Sequence, residues 1–186
     1  MIHLKEYAQQ NNVPIISDEG RLFLEGLIKD ENLTSVLEIG TAIGYSALFM
    51  VPLVSHITTI ERDPKMIKEA VKNFSLYDHE KKITLIEGDA LDVTISNQTF
   101  DLIFIDAAKA QYEKFFLKYV PLLSEKGVVV CDNLNFHNLD PNKVSRGTRN
   151  LIKKLNAFKE FLKNNKDYHT DFFDDGDGMS ITRKIT

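Results

Sequence analysis

The chain has 186 residues, of which 43% are hydrophobic and 27% charged, a globular composition that excludes a disordered, collagen-like or coiled-coil chain. Lys plus Arg is 23 and Asp plus Glu is 27, so the formal charge of −4 at pH 7 excludes a generic DNA-coating protein, though not a local basic patch. The lone Cys131 excludes an intrachain disulfide and a cysteine-based zinc or iron–sulfur site, and it suits a reducing cytoplasm.

The first residues lack the basic start and continuous apolar run of a signal peptide, and no stretch is apolar for long enough to predict a membrane span. Leu4–Gln10 reads as a short helix. Val13-Pro14-Ile15-Ile16 reads as extended, because Pro14 disfavours a helical Val13. Ser17 is placed to cap the next helix, whose apolar face is Leu22, Phe23, Leu24, Leu27 and Ile28. The strand Ser35–Ile39 stops at Gly40, and a helix follows from Tyr45 to about Leu53. His56–Ile60 is an apolar, β-branched strand. Asp63-Pro64 opens a helix with Met66, Ile67, Ala70, Val71 and Phe74 at helical spacing. Ile83–Ile86 is a third strand, Asp101–Ile105 a fourth, Tyr112–Leu123 a helix and Val128–Cys131 a fifth strand entered through Gly127. Near-continuous apolar strands alternating with helices predict a parallel sheet covered on both faces, with right-handed crossovers. Arg149–Leu162 then reads as a basic amphipathic helix, and Tyr168–Phe173 with Met179–Ile185 as an antiparallel hairpin at the sheet edge. No linker interrupts the chain, so residues 1–186 are expected to form one domain, a helical segment 1–34 leading into an α/β core 35–186.

Chemistry-bearing residues gather at the predicted strand ends. Gly40 and Gly44 give a Gly-x-x-x-Gly turn, not the Gly-x-Gly-x-x-Gly of a dinucleotide site, which disfavours an NAD oxidoreductase. Glu61 falls 21 residues after Gly40, where an acid can accept both hydroxyls of a ribose. Asp89, in Gly88-Asp89-Ala90, can accept from an adenine amino group. Asp106 and the pair Asp132-Asn133 end neighbouring strands and so line one crevice. Two carboxylates and an amide oxygen are hard donors suited to magnesium or another divalent ion. Lys109 follows Asp106 by three residues and becomes a candidate base if charge or burial lowers its pKa. The five histidines, His137 among them, form no close ligand motif, and Cys131 reads as a buried thiol rather than a nucleophile.

These pieces resemble the class I S-adenosyl-L-methionine (SAM)-dependent O-methyltransferases of the catechol and caffeoyl-CoA type. The resemblance runs through Val36–Ser46, Thr59–Arg62, Glu87–Ala90, Phe104–Lys109, Asp132-Asn133 and Gly176–Ile181, in family order across nearly the whole chain. Within the class, the sequence looks most like the bacterial enzymes that methylate 5-hydroxyuridine at the tRNA wobble position. The resemblance implies a Rossmann-like fold, a seven-stranded mostly parallel sheet with helices on both faces and one antiparallel strand near its edge. It implies SAM contacts at Ile16, Glu38, Gly40, Gly44, Tyr45, Ser46, Glu61, Asp89, Ala90 and Asp106, a metal held by Asp106, Asp132 and Asn133, and Lys109 as general base. It also implies a homodimer. Close relatives of this kind carry a longer arm before the position of Leu4, which bears on the dimer and the substrate entrance.

The metal would hold the acceptor hydroxyl and an adjacent oxygen, a logic that fits a 5-hydroxyuridine and a catechol equally. Residues 137–170 hold eight Lys or Arg against three acids, with Arg146 and Arg149 just beyond the metal pair. Taken with the resemblance, that local excess makes a tRNA anticodon loop the expected partner. A small catechol-like substrate is the alternative, and a non-catalytic RNA- or protein-binding module the reading from a different class.

Overall fold

Seven strands form one sheet in the order β3-β2-β1-β4-β5-β7-β6. They are β1 (Ser35–Ile39), β2 (His56–Glu61), β3 (Ile83–Glu87), β4 (Phe100–Ile105), β5 (Leu123–Cys131), β6 (Tyr168–Phe173) and β7 (Met179–Lys184). The computed structural model describes residues 2–135 and 139–185, so His137 lies outside the described residues. Strands β1 to β5 pair in parallel, while β7 runs antiparallel to both β5 and β6. The hairpin expected at the edge therefore contributes β6 as the edge strand and places β7 inside the sheet.

Alternation along the strands explains why both faces are buried. Val36, Leu102, Phe104, Val128 and Val130 point to one face, where Leu24 and Ile28 of α2 (Asp18–Asp30) and Ile43 and Leu48 complete a core. Leu37, Ile39, Ile103, Ile105, Val129 and Cys131 point to the other, against Phe116 of α5 (Tyr112–Tyr119) and Leu155, Phe158 and Leu162 of α6 (Arg146–Lys163). Phe158 meets Tyr112 and Phe116 edge-on, with centroids 5.9 and 6.2 Å away. The remaining helices are α1 (Ile2–Gln10), α3 (Tyr45–Met50) and α4 (Pro64–Tyr77). Among the described residues no helix is long and apolar enough to cross a membrane.

Local chemistry sets the helix ends. Ser17 Oγ accepts from Gly20 N at 3.0 Å and Asp63 Oδ1 from Lys65 N at 2.8 Å, the two caps expected from sequence. Helix α6 begins three residues before its expected start because Ser145 Oγ accepts from Thr148 N at 3.1 Å. Helices α3 and α5 are shorter than expected. Pro52 and Pro121 follow their last turns, and the chain tightens there into 3-10 turns, Val51–Leu53 and Val120–Leu122.

One end of the sheet is stitched by Asp101. Its Oδ2 accepts from Thr34 N, Thr34 Oγ1 and Ser35 N at 3.0, 2.8 and 3.2 Å, and its Oδ1 from Ser124 Oγ at 2.8 Å. Burial opposes ionisation, but these hydrogen bonds hold the carboxyl below the usual carboxylate range. The opposite end of the sheet carries the site.

Candidate active site

The parallel ladder runs one step past each strand, and this step assembles the site. Gly40 N donates to Ile60 O (3.1 Å), Gly88 N to Glu61 O (2.8 Å), Asp106 N to Ile39 O (3.1 Å) and Asp132 N to Ile105 O (3.2 Å). Gly88, Glu61, Gly40, Asp106 and Asp132 are thereby set in a row at the C-terminal ends of β3, β2, β1, β4 and β5, the position where open α/β sheets bind ligands. Gly40 has φ +99°, and a Cβ on it would stand 2.3 Å from the Asp106 carbonyl oxygen. The turn and the end of β4 approach too closely for any side chain there. Ala42 and Asn133 also adopt positive φ, at 45° and 62°, in the two loops that flank this approach.

A cavity of about 640 Å³ opens over this row. Of the residues singled out from sequence, Ile16, Gly40, Tyr45, Ser46, Glu61, Asp89, Ala90, Asp106, Lys109 and Asn133 line it. Three do not. Gly44 faces Phe74, whose ring would lie 2.5 Å from an added Cβ. Glu38 is buried beneath the turn. Asp132 lines a neighbouring cavity of about 580 Å³, which shares Ile15 and Asn133 with the first. Sequence reasoning missed Ile15, Arg62, Leu91, Gln111 and Phe115 in the first wall. Arg62 and Leu91 adjoin residues already singled out, and Phe115 lies one and a half helical turns past Lys109, so spacing alone points to them.

The site loops are held from behind by α5. Tyr112 Oη donates to Asp132 O at 2.9 Å, Tyr119 Oη to Ala90 O at 2.6 Å and Lys118 Nζ to Leu91 O at 2.6 Å. Glu61 Oε2 accepts from Ala42 N at 2.8 Å, and its Oε1 from Arg62 N and Asp63 N at 2.8 and 2.9 Å. This fixes the carboxylate against the glycine turn. Asp89 accepts from Leu91 N and from Arg62 Nη1, each at 2.8 Å, and these two bonds hold its carboxyl below its ordinary range.

Acids dominate the electrostatics. Burial raises the Asp106 carboxyl, with Lys109 opposing. Burial and then the neighbouring Asp106 push Asp132 up to about 7. Burial pushes Glu38 up to about 8, although Thr59 Oγ1 donates to its Oε2 at 2.5 Å. The sign of the linkage is fixed: folded Glu38 keeps a proton that the unfolded chain sheds near 4.5, so stability falls as pH rises from that value towards 8. Glu38→Gln removes this titration and keeps an oxygen for Thr59. It is expected to flatten the stability–pH curve and to exceed wild type by roughly 1–4 kcal/mol in weak alkali. Urea unfolding of both proteins across that range measures it, and parallel curves would refute it.

The expected metal centre is not supported. Among the described residues no group of three or more His, Cys, Asp or Glu is arranged to hold a metal ion. Asn133 Nδ2 donates to Asp106 Oδ1 at 3.1 Å, so the amide and the carboxylate are tied to each other.

An O-methyltransferase family profile matches residues 1–185. The chain belongs to the O-methyltransferase family. A crystal structure of a Staphylococcus aureus protein, a candidate caffeoyl-CoA O-methyltransferase, superposes with a TM-score of 0.93 at 40% identity, covering 98% of this chain and 90% of that one. The SAH-bound methyltransferase PaMTH1 of Podospora anserina gives 0.81 at 28% identity, with 92% and 80% covered. The O-methyltransferase ankF of Aspergillus thermomutatus is 38% identical over 119 residues, 58% of this chain, and the match spans about half (48%) of that protein. Other relatives of this O-methyltransferase are named for caffeoyl-CoA, catechol and flavonoids, at 26%, 30% and 26% identity. The fold is the class I methyltransferase fold, and the protein is a SAM-dependent O-methyltransferase.

The same relatives overturn the expected wobble-uridine substrate and anticodon-loop partner, because they are named for small molecules. Three of the eight basic residues of 137–170 are engaged by the chain itself. Arg149 Nε donates to Pro141 O at 2.8 Å, Lys159 Nζ to Asn135 Oδ1 at 2.7 Å, and Lys163 pairs with Glu160 at 2.9 Å.

Proposed function

We propose that this O-methyltransferase moves the methyl group of SAM to a hydroxyl of a small, catechol-type aromatic. The observation that carries the reading is the junction of two cavities at Ile15 and Asn133, with Asp106 and Lys109 in the wall of the first and Asp132 in the wall of the second. Both volumes fall in the range of small-molecule sites.

We assign the first cavity to the cofactor. Glu61 accepts from the ribose hydroxyls, Asp89 from the adenine amino group, and Ala90, Leu91 and Phe115 supply apolar wall. Ile16, Gly40, Tyr45, Ser46 and Asp106 surround the amino-acid end, while Glu38 and Gly44 shape the turn from behind. The second cavity takes the acceptor. Ile15 and Ile16 precede α2, so the N-terminal helical segment works as part of the same unit as the sheet.

In the reaction a substrate oxygen attacks the methyl carbon, the C–O bond forms as the S–C bond breaks, and the electron pair leaves on sulfur as the thioether of SAH. Lys109, in the wall of the first cavity beside Asp106, receives the hydroxyl proton. Holding the oxygen and methyl in line removes most of the entropic barrier of a bimolecular transfer. Chelation followed by magnesium add-back reads any cation requirement directly.

The experiment is methyl transfer from methyl-labelled SAM to a panel of catechol, dopamine, dihydroxyphenylacetate and caffeoyl-CoA, with product identification. Label in a ring methoxy group is the expected result. SAH binding without transfer to any aromatic diol would overturn the substrate class.

A further inference from the structure

The loop after β3 lines the first cavity with Gly88, Asp89, Ala90 and Leu91, and its backbone carbonyls are held one by one. Asp89 O accepts from Asp92 N and Val93 N, each at 2.9 Å, so the loop satisfies this one itself. The next two carbonyls meet the last turn of α5. Ala90 O accepts from Tyr119 Oη and Leu91 O from Lys118 Nζ, both at 2.6 Å. Packing alone asks for neither donor. A phenylalanine would fill the place of Tyr119, which is buried, without bringing a hydroxyl that must be paired. A lysine in the last turn of a helix ordinarily serves that helix's own carbonyls. Lys118 instead reaches a loop 27 residues earlier in the chain. Burial, and then the nearby Asp89, push the Tyr119 phenol up to about 12, so it stays a donor near neutrality. The charge of Lys118 adds to the bonds from Leu91 and Arg62 that keep Asp89 ionised.

We propose, resting on the assignment of the first cavity to the cofactor, that Tyr119 and Lys118 are positioning residues for the base of SAM. Their two bonds fix the loop after β3 so that the Asp89 carboxylate faces the adenine amino group. Asp89 Oδ1 and Oδ2 each use one lone pair, on Leu91 N and Arg62 Nη1, and each keeps another. The backbone of residues 89–91 decides where those remaining lone pairs point, and the bonds from α5 decide that backbone. An amino group donates to them. A carbonyl in its place sets a second acceptor against the carboxylate and is rejected. Tyr112, two turns earlier on the same helix, makes the same kind of bond elsewhere. Its hydroxyl holds Asp132 O at the end of β5, a strand four places from β3 in the sheet. Phe115, between the two tyrosines, lines the cavity. One helix thus grips two loops that share no strand pairing, and Tyr112 is the internal control for Tyr119.

Calorimetric titration with SAH and with its inosine analogue, in which a carbonyl replaces the 6-amino group, tests this without any acceptor. Wild type is expected to bind SAH tighter than the analogue by at least about tenfold. Tyr119→Phe and Lys118→Met are each expected to shrink that ratio, and the double variant to bring it within about threefold. Tyr112→Phe loses a bond of the same kind and is expected to keep the ratio within about twofold of wild type. A purely structural loss lowers the binding stoichiometry and weakens both ligands alike, so it leaves the ratio where it was. A wild-type ratio kept in the double variant and in both single variants would overturn the proposal, as would an equal fall in Tyr112→Phe. Equal binding of the two ligands by wild type would fail the adenine reading of Asp89, and the proposal with it. Failure of wild type to bind SAH at all would fail the cofactor assignment itself.

Discussion

Lys109→Met is expected to lower kcat by roughly 10²- to 10⁴-fold, the usual share of a positioned general base. Lys109 lines the first cavity beside Asp106, where the two cavities meet through Asn133. Met keeps much of the side-chain length and removes the amine. If Lys109 acts on the proton, the loss falls on kcat, and SAH affinity changes by less than about threefold. Single-turnover transfer and calorimetric titration with SAH separate the two effects. An unchanged single-turnover rate would remove Lys109 from the chemistry and leave it as a wall residue.

Gly40→Ala is expected to be the most damaging small change to the binding site. Its φ of +99° disfavours any side chain, and the new Cβ would meet the Asp106 carbonyl oxygen at 2.3 Å, with Ala107 Cα at 3.1 Å. The obstacle is backbone on the neighbouring strand end and cannot rotate away. A loss of about 3 kcal/mol or more in stability, together with loss of measurable SAH binding, is the expected result. Gly26→Ala is the matched control. Gly26 lies in α2 with nothing within 4 Å of an added Cβ, and there alanine is expected to stabilise by about 0.5–1 kcal/mol. Urea unfolding compares them. A Gly40→Ala protein as stable as wild type would mean that β1 and β4 can separate at their ends without cost.

The alternation of strand and helix was legible because burial on both faces leaves continuous apolar runs such as Val36–Ile39 and Val128–Cys131. What escaped was wherever the backbone departs from a simple pattern. The fifth strand was expected to be entered through Gly127, yet β5 already begins at Leu123. The β4–β5 register shifts between Phe100 and Leu102, and Gly127 lies where a Cβ would come within 2.9 Å of Phe100 O. A glycine inside a strand here marks a close approach at an irregularity, and single-sequence pattern cannot tell that from a turn. In the site, residues at strand ends were legible because the parallel ladder places them together. Asp132 and Glu38 show the limit. Each stands at or next to a strand end, but pleat direction sends Asp132 into the second cavity and Glu38 under the turn. The substrate went astray for another reason: a count of lysines and arginines says nothing of their partners, and Arg149 and Lys159 are engaged by the chain itself.

Cys131 has a practical consequence. It is the chain's one cysteine, fully buried in β5, and burial pushes its thiol up to about 12. Near neutrality almost none of it is thiolate, the form that reacts with maleimides and iodoacetamides. The native protein is therefore close to a cysteine-free background without any substitution. A cysteine engineered at an exposed position such as Leu22 or Leu117 would take a fluorophore or spin label alone. Motion of α2 against α5 during turnover could then be followed in an otherwise unaltered chain.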